Sequence, residues 1–126
     1  MNKLSEMLMN ALGYEVHPLN EMANLTKKNT SLPMIVWIQV KQPMQHKTPR
    51  MKFTNNTNNN LLPQDLVPIS ISDDSQILSK KTKLKISTSD FEKLRQWIID
   101  NKVNLLKVWE GEMDILDFGK IMLKAK

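Results

Sequence analysis

The stretch from Ile86 to Trp109 leaves a chain of this kind the fewest choices. Ser87 stands three residues before Asp90, the spacing of a helix N-cap, and Ile86 and Phe91 flank it where a hydrophobic staple forms across the first turn. At about 100° per residue, Leu94, Ile98, Leu105 and Trp109 fall on one stripe with Phe91. Ile99 and Leu106 lie on one shoulder of that stripe, Trp97 and Val108 on the other. Glu92, Lys93, Gln96, Asp100, Asn104 and Lys107 fill the opposite arc, with Val103 as the one apolar intruder. Such a helix lies half in water and needs a flat apolar surface beneath it.

The segments ahead of it supply that surface. Met34 to Val40 holds Ile35, Val36, Trp37, Ile38 and Val40, β-branched or aromatic almost throughout, which predicts a central strand. Two prolines break the next stretch, and Arg50 to Phe53 resumes extended structure with Met51 and Phe53 on one face and Arg50 and Lys52 on the other. These two strands are expected to pair antiparallel. The asparagine-rich run 55–60 has too little apolar area to repay ordering and reads as a mobile loop. Val67, Ile69 and Ile71 alternate with Ser70 and Ser72 in a third strand, and Asp73 and Asp74 supply its turn. Thr82, Leu84 and Ile86 alternate with Lys83 and Lys85, a short fourth strand or an extended arm leading into the Ser87 cap.

Upstream, Leu4, Met7, Leu8, Ala11 and Leu12 repeat at helical spacing up to Gly13, and 19–25 allows one or two further helical turns with Asn20 as a cap. Their methionines, Met7, Met9 and Met22, suit either core cover or an adaptable partner surface. Residues 26–31 are polar and read as a connection. Downstream, Gly111 can take a left-handed stop, and Asp114 opens a short helix burying Ile115, Phe118, Ile121 and Met122. The expected fold class is α+β: a small antiparallel sheet of three to four strands, covered on one face by the long C-terminal helix, with a short helical N-terminal preface. At 126 residues this is a single domain, with the preface at 1–31, the sheet at 32–86 and the helices at 87–126.

The chain has no cysteine, which excludes a disulfide framework and fits a reducing compartment. No run approaches the roughly 18 apolar residues of a membrane span, and the N-terminus is too polar for a signal peptide, so a soluble, cytoplasmic protein without a membrane partner is expected. His17 and His46 have no ligand partner at helical metal spacing. The three glycines, Gly13, Gly111 and Gly119, form no phosphate loop. No metal, cofactor or catalytic residue is expected, and enzyme is the least supported class.

The order of elements from Leu32 to Gly111, with a His and Pro loop after the first strand and a helix carrying Trp97-Ile98, Leu105-Leu106 and Trp109-Glu110, resembles a small bacterial family of unknown function. That family is often encoded beside a small partner in toxin and antitoxin-like gene pairs. In the loop only His46 and Pro49 match its pattern; Lys47, Arg50 and Met51 stand where further histidines or prolines belong. The departure removes most of the ground for carrying over a metal or acid-base role, and the resemblance, to a family with no settled activity, implies the fold more than the function.

Charge offers the remaining clue. The net charge is +5, yet residues 22–64 hold five lysines, one arginine and no acid. Lys41, His46, Lys47, Arg50 and Lys52 are expected at one end of the sheet, joined by Lys83 and Lys85 and by Lys80 and Lys81. The function expected from this basic patch, or from the N-terminal helix, is a small interaction or regulatory module for an acidic protein partner. Weak, sequence-independent nucleic-acid binding by the same patch is the alternative, and a phage structural or accessory protein is a third.

Overall fold

The computed structural model describes residues 16–17, 22–42, 48–58 and 62–126. Its sheet has five antiparallel strands in sequence order: β1 (Val16–His17), β2 (Met22–Leu25), β3 (Val36–Gln39), β4 (Arg50–Thr54) and β5 (Leu66–Ser70). The long helix, α2 (Thr88–Trp109), covers one face, and the short α3 (Ile115–Ile121) packs beside it. A single turn, α1 (Lys27–Thr30), joins β2 to β3. The α+β class and the helix-covered antiparallel sheet are as expected from the sequence.

The central strand is β3, buried along its whole length. Val36 and Ile38 face α2 and share a core with Leu25, Met51, Phe53, Val67, Ile69, Leu94, Ile98, Leu105 and Val108, while Ile35 and Trp37 pack with Leu66 on the other face. Each fully buried side chain of this size contributes roughly 1.5–3 kcal/mol, so the core outweighs any surface pairing. Phe53 meets Phe91 at a ring separation of 6.1 Å, and Trp97 meets Phe118 edge-on at 6.2 Å. The first contact fixes α2 over β4; the second fixes α3 against α2.

The helix begins where its cap places it: Ser87 Oγ accepts from the Asp90 N–H at 3.0 Å. It ends on Gly111, at φ 79°, a left-handed conformation that favours glycine. Arg95 and Lys102, on one flank of the helix, reach Asp74 and Asp73 and hold that turn against it. Beyond the turn the chain folds back along β5: the Ser70 N–H donates to Gln76 O and the Leu78 N–H to Pro68 O, both at 2.9 Å. This return, bridged at Ile69 and Ile77, buries Ser70 instead of leaving it outward.

Several expectations are corrected. The 19–25 stretch is not helical where it is described, because Met22–Leu25 pairs with Val36–Gln39 as β2. The sheet therefore has more strands than the three to four expected. The open edge of β3 imposes extended backbone on residues with little strand preference of their own. The connection 26–31 contains α1, closed by a reciprocal cap between Thr26 and Asn29. Of the two readings of residues 82–86, the fourth strand does not form, since they join no ladder of the sheet, and the arm remains. The asparagine run is anchored at its start, since Asn55 is buried. Ile99, on α2, and Ile121, on α3, are exposed; the buried face of α2 is turned toward the Trp97 and Val108 shoulder and away from Ile99. Asn101 takes a buried place on the helix instead, bonded through Nδ2 to Trp97 O and Leu123 O, both at 3.0 Å, and through Oδ1 to the Leu123 N–H at 2.8 Å. The helix expected at 3–12, with Met7 and Met9, lies outside the described residues.

Candidate functional site

The end of the sheet formed by the last residues of β4 and the first of β5 carries a group of lysines. Leu84 and Ile86 pack into the core, and the alternation turns Lys83 and Lys85 toward solvent, with Lys81 exposed in the turn before them. Asn55, only 3% exposed, fixes that arm. Its Nδ2 donates to Lys83 O at 2.9 Å and its Oδ1 accepts from the Lys85 N–H at 2.8 Å. One side chain thus bonds two backbone groups on the same edge of the arm.

Asp65 is the acid of this end. Its buried carboxylate accepts from Asn56 Nδ2 at 3.1 Å and from Lys85 Nζ at 3.3 Å. Two residues beyond Asn55, Thr57 O accepts from Lys27 Nζ, which brings α1 and its exposed neighbour Lys28 to the same end. Among the described residues, no ion pair joins Lys28, Lys81 or Lys83 to an acid. A shallow cleft of about 290 Å³ opens beside the arm, with Asn55, Gln64, Leu66, Ser79, Lys81 and Lys83 among its walls. Lysines around the Asp65 carboxylate make a surface that attracts anions.

The residues expected to form one patch are divided by the length of β4. Arg50 opens that strand, Lys83 and Lys85 are held by Asn55 just after its end, and five residues of strand span roughly 16 Å. Lys41 stands at the Arg50 end, where Glu110 neutralises it and its N–H donates to Trp109 O at 2.9 Å. Arg50 Nε donates to Thr48 O at 3.3 Å. Lys52, one turn of the pleat further along the Arg50 face, is half-buried, and its ammonium is held below the usual lysine value, first by burial and then by repulsion from Arg50. His46 and Lys47 lie outside the described residues. Sequence reasoning had missed Lys27, Lys28 and Asn55. The Thr26-to-Asn29 cap spacing was a signal for the first two; nothing local marks Asn55.

Among the described residues, no three His, Asp or Glu side chains are grouped to hold a metal ion, and no helix is long and apolar enough to cross a membrane. Trp37, Trp97 and Trp109 are all buried, and Phe91 lies beneath the Arg95 guanidinium, 5.9 Å from its ring centre. No family model matches the chain, and no curated protein or solved structure matches it.

Proposed function

We propose that this protein is a non-catalytic interaction module that binds an acidic protein surface through the lysine end of its sheet. The supporting observation is the grouping of Lys27, Lys81, Lys83 and Lys85 around the 55–57 segment, with Asp65 the one carboxylate engaged there among the described residues. Long-range attraction to an acidic surface raises the association rate and selects against basic partners, and it needs no stacking aromatics. A partner encoded beside the gene would fit the family that residues 32–111 resemble. Lys41 and Arg50, at the far end, have no part in this reading.

Fluorescence anisotropy with labelled oligoglutamate, and with DNA and RNA oligonucleotides of equal charge, tests it at low and moderate salt. The acidic peptide is expected to bind in a salt-sensitive way, with Lys83→Glu combined with Lys28→Glu weakening it about tenfold or more. The control Arg50→Glu leaves binding within about twofold. Tighter binding of the oligonucleotides than of the peptide, or sensitivity to Arg50→Glu alone, overturns the proposal.

A further inference from the structure

Resting on the acidic-partner reading, we infer that the partner docks as an extended acidic segment that adds a strand to the 82–85 arm along the edge opposite Asn55. Exposure alternates along the arm, with Leu84 and Ile86 packed against the core and Lys83 and Lys85 exposed, the pattern of an extended chain. Lys83 and Lys85 therefore project at alternate positions, about 6.6 Å apart, with Lys81 in the turn just ahead of them. An extended peptide with acidic residues at every second position repeats its charges at the same interval, whereas a helix does not.

The backbone supplies an independent argument. In an extended chain the N–H and C=O of one residue point to the same edge, and successive residues alternate edges. Asn55 occupies the edge that carries Lys83 O and the Lys85 N–H. The Leu84 N–H and C=O then face the opposite edge, and no hydrogen bond joins them to another described residue. An extended segment laid there gains backbone hydrogen bonds from Leu84 and cross-strand pairs with the lysines on its solvent face. The arm is pre-ordered by the buried Asn55 amide, so docking does not have to order both chains.

Calorimetric titration with short peptides of identical composition separates the outcomes: one alternates Glu with Thr, the other carries its glutamates in one block, and a third is the alternating peptide N-methylated at alternate residues. The alternating peptide is expected to bind about tenfold more tightly than the blocked one. It is also expected to slow hydrogen exchange at the Leu84 amide, and to lose its advantage with Lys81→Ala combined with Lys83→Ala. Equal, salt-sensitive affinity for the alternating and blocked peptides overturns strand docking and leaves the acidic-partner reading intact. So does undiminished binding of the N-methylated peptide. Binding of none of them overturns both.

Discussion

Replacing Asn55 with alanine tests the anchoring of the arm. The substitution deletes two hydrogen bonds, to Lys83 O at 2.9 Å and from the Lys85 N–H at 2.8 Å, at a site closed to solvent. Each bond contributes about 1 kcal/mol net, and the small void left by the amide adds a fraction more, so Asn55→Ala should cost about 2–3 kcal/mol. For a domain of this size that corresponds to a fall in Tm of roughly 8–12 °C. Asn55→Asp separates the two bonds. The carboxylate still accepts from Lys85 but sets an oxygen against Lys83 O, so this nearly isosteric change should also destabilise. Urea denaturation gives the stability change, and hydrogen exchange locates it: the Lys85 amide should lose protection while that of Leu105, inside α2, changes only with global stability. A loss below about 0.5 kcal/mol, or unchanged protection at Lys85, would refute the assignment of Asn55 as the anchor.

Asn101→Ala should cost about 2–3 kcal/mol by the same reasoning and release the segment around Leu123, so tryptic cleavage after Lys124 accelerates; an unchanged cleavage rate would contradict this. Lys52→Met removes an ammonium whose charged form the folded state disfavours. That penalty is complete below the lowered folded pKa and relieved as pH rises through it toward the unfolded value, so the variant should melt higher than the parent at pH 7, by a margin that shrinks in alkaline solution; a pH-independent margin refutes the cause. Gly111→Ala should cost about 1 kcal/mol from its positive φ, since the added Cβ meets only Val40 Cγ1 at 4.0 Å. Gly111→Asn should cost less in the same melts, because asparagine tolerates that conformation.

The parts of this fold that could be read from the sequence are those specified by near neighbours. The Ser87 cap, the stripe from Leu94 to Trp109, the alternation in β4 and β5 and the Gly111 stop are each encoded within a few residues. The parts that could not be read depend on distant segments. Met22 to Leu25 is a strand because β3 offers it an edge, and Asn55 and Asn101 are buried because each bonds the backbone of a segment more than twenty residues away. The basic patch fails as one unit for the same reason. Arg50 and Lys52 are close to Lys41 along the chain, yet the arm with Lys83 is tied to the other end of the strand they occupy.

The return of Gln76 to Leu78 along β5 has a consequence for how the protein behaves in concentrated solution. Unclosed sheet margins are templates on which identical chains stack into fibrils, and a segment as strongly β-prone as Ile35 to Val40 makes that hazard real. Here the β5 margin is already filled by the chain itself, and the lysines of the neighbouring arm repel a second copy at that side. That margin of the sheet is thereby closed to a second copy without any subunit having to cover it.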